Sequence, residues 1–169
     1  MSTVLIRAMA PDDIPAVSAI DHQCFALPWS AGAFAGELAS PVGHYRVALL
    51  GGTIAGYLGG HVILDEAHVV TLGVHPQFRR RGIAEHLLVE FLRTALGQGC
   101  RRLTLEVREG NVEARGLYEK YGFRPISRRR RYYTDNDEDA IVMWIEDTSR
   151  SGFCATFDER VQQLRKRSG

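Results

Sequence analysis

Thr71-Leu72-Gly73-Val74-His75-Pro76-Gln77-Phe78-Arg79-Arg80-Arg81-Gly82-Ile83-Ala84-Glu85 is the stretch that decides how the chain folds. Thr71 to Val74 read as the end of a β-strand. Beyond the loop, Ile83, Leu87, Phe91 and Ala95 recur at helical spacing, with Ala84, Leu88, Leu92 and Leu96 beside them. A strand therefore feeds a short Arg/Gly loop that opens a long amphipathic helix. The first N–H groups of such a helix have no intrahelical acceptor, so its start is an anion site. Arg79, Arg80 and Arg81 stand where the helix dipole disfavours cations by about 0.3–1 kcal/mol each, which points to a polyanion met at that spot. A solvated basic turn is the plain alternative. No Gly-Lys-Ser/Thr follows, which excludes the nucleotide P-loop, and no G-x-G-x-x-G is present for a Rossmann dinucleotide site.

Working outward, Val4 to Ala8 predict a strand. A helix with Ile14, Val17, Ile20 and Cys24 on one face follows, with Asp12 and Asp13 as candidate caps and Pro15 in its first turn. Leu27-Pro28-Trp29 is a loop, and Ser30 caps a short helix to about Leu38. Strands are predicted at 44–50, 53–64 and 67–74, the first two joined by Gly51-Gly52. The helix that opens at Gly82 ends at Gly97-Gln98-Gly99. In Leu103-Thr104-Leu105-Glu106-Val107 the apolar residues face one way, Thr104 and Glu106 the other. Asn111 caps a helix bearing Ala114, Leu117, Tyr118 and Tyr121, closed by Gly122, and strands at 123–134 and 140–145 complete the pattern. The order predicts an α/β fold with a mixed central β-sheet flanked by helices.

The chain has 169 residues, enough for one domain with a sizeable core. Its formal net charge of +1 gives no overall field towards nucleic acid or membrane. Basic charge is nevertheless concentrated at Arg79–Arg81, Arg128–Arg131 and Arg165-Lys166-Arg167. The Arg128–Arg131 run reads as alternating across a strand, with half its side chains towards solvent, and as a guard against edge aggregation rather than an RNA contact. Cys24, Cys100 and Cys154 form no paired spacing, which argues for a reducing cytoplasm, no disulfide framework and no zinc site. Asp135, Asp137, Asp139 and Glu146 imitate a calcium-loop spacing, but Ala140 stands where glycine is needed, so no metal is expected. After Asp147 the composition changes: residues 148–169 carry five basic and two acidic side chains. The reading divides the chain into a catalytic domain, 1–147, and a basic tail, 148–169, as a short helix or a mobile segment.

Read alone, Glu106 is a strand carboxylate paired with a neighbouring arginine, Tyr118 a core tyrosine and Asn111 a helix cap. Together with the Arg/Gly loop they form a narrower pattern. Arg79-x-x-Gly82-x-Ala84 is similar to the R/Q-x-x-G-x-G/A signature of the GNAT family of N-acetyltransferases, whose loop wraps the pyrophosphate of acetyl-coenzyme A. Leu105-Glu106-Val107-Arg108 with Asn111, Ala114, Leu117-Tyr118-Glu119 and Gly122-Phe123 resembles the RimI branch of that family, the ribosomal-protein alanine N-acetyltransferases. Pro28-Trp29, Asp65-Glu66-Ala67, Arg131-Tyr132-Tyr133 and Glu138 to Met143 match as well, so the resemblance runs over about residues 4–146.

The resemblance implies the acyl-CoA N-acyltransferase fold and transfer of an acetyl group from acetyl-coenzyme A to a protein N-terminus, with the alanine of ribosomal protein S18 as acceptor. Lysine side chains or small amines are the alternative acceptors, and a non-catalytic coenzyme A-binding module is a third reading. Glu106 is implied as general base and Tyr118 as the acid that protonates the departing thiolate. Leu72, Gly73 and Val74 would offer a strand edge to the pantetheine arm. Arg79, Arg80, Arg81, Gly82, Ile83, Ala84 and Glu85 would form the pyrophosphate wrap, with Asn111 and Tyr118 as further cofactor contacts. Pro28, Trp29, Tyr132 and Tyr133 would wall the acceptor groove. A cytoplasmic monomer is expected, with no nucleic-acid or membrane partner.

Overall fold

A computed structural model describes residues 3–169. Seven strands form one sheet: β1 (Val4–Ala8), β2 (Gly43–Leu50), β3 (Thr53–Ile63), β4 (Glu66–Val74), β5 (Arg102–Arg108), β6 (Arg124–Tyr133) and β7 (Glu138–Ile145). Their order is β1-β2-β3-β4-β5-β7-β6. Every neighbouring pair is antiparallel except β4 with β5, which is parallel; short turns join β2 to β3, β3 to β4 and β6 to β7. A parallel pair requires a crossover, and α3 (Ile83–Gly97) supplies it. The other helices are α1 (Ile14–Cys24), α2 (Ala31–Ala39), α4 (Val112–Lys120) and α5 (Phe153–Ser168). Among the described residues no helix is long and apolar enough to cross a membrane.

Strand parity sorts the side chains onto two faces. Leu58, Val62, Ala67, Val69, Leu103, Leu105, Val107, Ile141, Met143 and Ile145 pack with Leu87, Leu88, Phe91 and Leu92 of α3 and with Phe157, Val161 and Leu164 of α5. The opposite face carries a smaller core in which Tyr45, Val47 and Tyr57 meet Val17, Ile20 and Phe34 of α1 and α2. Those two helices pack on β2, β3 and β4. On the same face, His68 of β4 and Glu106 of β5 keep side-chain exposures of 38% and 16%.

Two local features shape the region between β4 and β5. A bulge places Thr71 opposite Gly59 and Val69 opposite Gly60, so Val70 is the extra residue and β4 bends there. Pairing with β5 stops at Val69↔Leu105, although β4 continues to Val74 and β5 to Arg108. The strands splay, and the edge of β4 from Thr71 to Val74 is left unpaired on the β5 side.

Several predicted details differ. Asp13 does not cap α1 with its side chain; its carboxylate is taken by Arg7, at 2.6 and 2.9 Å, and by the Ala10 N–H at 2.8 Å. A charged bidentate partner outcompetes a cap. Arg128–Arg131 do not alternate between solvent and interior: all four are exposed, because β6 is the sheet edge and its ladder is interrupted between Arg129 and Tyr133. Residues 153–168 form a helix of four turns, whose Phe157, Val161 and Leu164 are buried.

Candidate active site

The mouth of α3 is built by backbone conformation. Arg80 (φ 63°) and Gly82 (φ 75°) are both left-handed, which costs a non-glycine residue roughly 1–2 kcal/mol and turns successive N–H groups towards one concavity. His86 donates to the Gly82 carbonyl at 3.0 Å and starts the helical ladder. Among the described residues, the N–H groups of Arg80, Arg81, Gly82, Ile83 and Ala84 have no protein acceptor, and Arg79, Arg80 and Arg81 form no ion pair. Arg79 leans back to the end of β4, its Nε donating to the Val74 carbonyl at 3.4 Å. Arg81 lies over the Phe78 ring at 5.7 Å.

Glu85, assigned by sequence to the same wrap, turns the other way. It is 8% exposed and accepts from Lys120 Nζ (2.5 Å), the Tyr121 hydroxyl (2.7 Å) and Arg167 (3.0 Å). Burial alone would raise its carboxyl; these bonds and the Lys120 and Arg167 charges outweigh it and hold the group below its ordinary value. Glu85 thus fastens α3 to α4 and α5, and Ser168 with His86 Nε2 at 3.2 Å adds a second link.

The open edge of β4 lies next to the mouth. Gly73 is required there because an added Cβ would stand 2.7 Å from Tyr57 Cε1. The Tyr57 hydroxyl donates to Asp21, and the Trp29 N–H donates to the other oxygen of the same carboxylate at 2.7 Å. With the Trp29 ring 5.3 Å from Phe34, the Pro28-Trp29 loop is pinned beside β3 and β4. Asp21 and Tyr57 are the residues that sequence reasoning missed here. Their only signals were a polar residue on the α1 apolar face and a tyrosine among glycines.

Glu106 is the residue after the last β4–β5 pair, so it stands at the throat of the splay. Its Oε2 is 2.7 Å from His68 Nε2 and its Oε1 3.8 Å from Arg129. The His68 hydrogen bond, against burial and aided by the His68 and Arg129 charges, holds the Glu106 carboxyl below its usual value. His68 was not singled out from the sequence and Arg129 only as one of a basic run: His68 reaches Glu106 through the parallel pairing of β4 with β5, and Arg129 reaches it across β7.

Tyr118 is 7% exposed and set edge-on to Phe123 at 5.9 Å. Burial first, and Tyr133 second, push its phenol well above the ordinary value. Tyr133 is pushed up to about 12, by burial first, with Tyr132, Glu106 and Glu138 adding and Arg108 opposing. Arg108 covers the Tyr133 ring at 4.0 Å while bonding Asp135 (2.9 Å) and Glu138 (3.2 Å). Tyr132 is perpendicular to it at 5.1 Å. Asn111 caps α4 by accepting from the Ala114 N–H at 3.2 Å.

The structure thus brings Glu106 together with His68 and Arg129, and leaves Leu72–Val74 unpaired on the β5 side, the Val74 carbonyl taken by Arg79 Nε and by Cys24 Sγ at 3.3 Å, while Glu85 faces α4 and α5. Such an arrangement can hold an extended anionic ligand along β4 and offer a carboxylate and a phenol at one end.

Comparison with known proteins agrees. The profile described as the Acetyltransferase (GNAT) family matches residues 14–123. A [ribosomal protein bS18]-alanine N-acetyltransferase of Escherichia coli is 34% identical, covering 82% of this chain and 94% of its own. An N-alpha-acetyltransferase RimI of Mycobacterium tuberculosis is 40% identical, covering 83% and 90%. The crystal structure of the ribosomal-protein-S18-alanine N-acetyltransferase from Escherichia coli superimposes with a TM-score of 0.78 at 34% identity, covering 83% of this chain and 92% of that one. With the family profile matched over residues 14–123 and relatives of 34–40% identity across most of its length, the chain belongs to the GNAT family of N-acetyltransferases.

Proposed function

We propose that this protein is a RimI-type N-α-acetyltransferase that uses acetyl-coenzyme A and acts on the N-terminal alanine of ribosomal protein S18. The observation that carries the reading is the splay: pairing ends at Val69↔Leu105 and Glu106 comes next, so a ligand along the β4 edge ends beside that carboxylate. The names of relatives at 34–38% identity support the acceptor.

The residues present fit coenzyme A. Free amides at Arg80–Ala84, backed by three arginines without ion-pair partners among the described residues, suit a diphosphate. The Leu72–Val74 edge suits an amide-bearing arm that can pair as a strand does. When bound, acetyl-coenzyme A supplies an acyl group on a good thiolate leaving group. Asn111, at the start of α4, is a further cofactor contact in this reading, and Glu85 serves the wrap indirectly, by bracing the first turn of α3.

An α-amino group has a pKa of about 7.7–8.0 and is largely protonated at neutral pH. Glu106, ionised there, accepts its proton directly or through water. Tyr118 keeps its proton because burial opposes the phenolate, so it can donate to the departing sulfur. Trp29 with Pro28 on one side, and Tyr132 with Tyr133 on the other, wall the acceptor groove. Residues 1–147 are the catalytic unit and 148–169 its brace. Every proposed group lies on one chain, so a monomer suffices, and a ribosomal acceptor places the enzyme in the cytoplasm.

The test is incubation of the pure protein with acetyl-coenzyme A and a peptide beginning with the alanine of S18, followed by fragment mass spectrometry. The expected product carries one acetyl group on the α-nitrogen. Coenzyme A binding with acetylation confined to lysine ε-amines, or with none, contradicts the proposal.

A further inference from the structure

Glu106 presents a difficulty as a lone base. Its carboxyl is held low by His68, and a weakly basic carboxylate does not retain the proton of an amine whose pKa is near 8. The stoichiometry sharpens the point. An ammonium that becomes an amide loses two protons, the departing thiolate takes one, and the other must leave the site in every turnover.

The open face of the sheet holds a row of groups suited to that task. Glu106 Oε2 lies 2.7 Å from His68 Nε2. His68 is the register partner of His61 on β3, where facing side chains stand about 4.5–5.5 Å apart at Cβ. His61 Nε2 lies 2.6 Å from Glu37 Oε2 on α2, and the Tyr45 hydroxyl donates to the same oxygen at 3.1 Å. At the other end Arg129 of β6 is 3.8 Å from Glu106. The charged and titratable groups around His68 are thus Glu106 and Arg129 on one side and His61, Glu37 and Tyr45 on the other. The row holds two carboxylates, Glu106 and Glu37, against one arginine, Arg129, with the two imidazoles between them. His68 is 38% exposed, whereas Glu106 is 16% exposed, so the imidazole is the member with the readier access to water.

We propose that His68 is a catalytic proton carrier: it takes the amine's proton from Glu106 and delivers it to solvent, with the Glu37–His61 pair as the neighbouring charge that makes room for it. This rests on the base role assigned to Glu106 above. In the forward step the amine N–H bond breaks as its nitrogen bonds the acyl carbon. The carbon–sulfur bond breaks, with its electron pair leaving on sulfur, which takes a proton from Tyr118. The amine's proton passes to Glu106, which then no longer accepts from His68. Exchange at the exposed ring moves the His68 proton from Nε2 to Nδ1, Glu106 hands its proton to the vacated Nε2, and Nδ1 releases its own to water, which restores the resting tautomer with Nε2–H donating to ionised Glu106. Tyr118 is reprotonated from the second proton of the original ammonium, or from solvent.

His68→Asn and His68→Ala, beside Glu106→Gln, test this by three readouts. Steady-state rates with acetyl-coenzyme A and the alanine peptide should fall at least 10-fold in kcat for both His68 variants, with coenzyme A affinity by calorimetry unchanged. The acid limb of the kcat–pH profile should move towards the carboxylate range. Added imidazole should restore activity to His68→Ala but not to Glu106→Gln. In the free protein, the 13C carboxyl resonance of Glu106 should titrate at higher pH in His68→Asn than in wild type. The proposal is overturned if the His68 variants keep the wild-type rate and profile, or if they lose rate with no change of profile and no imidazole rescue. A fully active Glu106→Gln would instead remove the base role itself, and an inactive Glu106→Gln beside unaffected His68 variants would leave that role standing without the carrier.

Discussion

Glu106 lies one residue beyond the last β4–β5 pair, and that placement decides whom it meets. On the face opposite Leu105 it finds His68 and Arg129; one position earlier or later in parity it would point into the core. Glu106→Gln keeps size and shape while removing the proton acceptor, so kcat should fall by about 100-fold or more, with coenzyme A affinity unchanged in a binding titration. Tyr118→Phe should lower kcat by a similar order and leave the melting temperature near wild type, since the proposed role uses the hydroxyl and not the ring. Gly73→Ala probes packing instead. Its Cβ would come within 2.7 Å of Tyr57, and overpacking of this kind costs about 1–3 kcal/mol. Urea denaturation should show that loss, and the variant should bind coenzyme A more weakly because the β4 edge shifts with it. Unchanged stability would contradict the close approach.

At the scale of elements, α5 is where sequence and structure part most. Phe157, Val161 and Leu164 give a legible helical stripe, but periodicity does not say what the stripe covers. It covers the first turn of α3 and the end of α4, through Leu164 beside Gly82, Arg167 on Glu85 and Phe157 against Tyr121. The Arg/Gly loop, the crossover helix and the parity of β5 were readable because local spacing dictates them. The pairs Asp21–Tyr57 and His68–Glu106 were not, because each joins strands or helices separated by 36 or 38 positions. The role of Glu85 was read one way and built another: the loop motif places it in the wrap, whereas a buried carboxylate takes the nearest cations, here Lys120 and Arg167. Leu164→Ala should cost about 2–3 kcal/mol, measured by chemical denaturation, and should also weaken coenzyme A binding, because the brace on the amide mouth loosens. A variant equal to wild type in both would show that α5 does not support the site.

For the whole molecule, the depressed carboxyls set the acid stability. Asp13, Glu85 and Glu106 are held below their ordinary values by partners in the fold. Their contribution is present above the unfolded carboxylate pKa and is lost as pH falls through the folded values. Thermal melts from about pH 7 down to about pH 3 should therefore show stability falling only below the ordinary carboxylate range. The loss should persist at about 1 M salt, where exposed pairs such as Arg128–Glu109 are screened. If the amide mouth and the β4 edge hold coenzyme A with its acyl end at Glu106 and Tyr118, the backbone amides along that path must respond to it. The most direct measurement is the backbone amide NMR spectrum during titration with coenzyme A. The expected result is that Arg80–Ala84 and Leu72–Val74 shift most, with smaller movements at Glu106 and Tyr118. Saturable binding that leaves those amides in place while others move would contradict it.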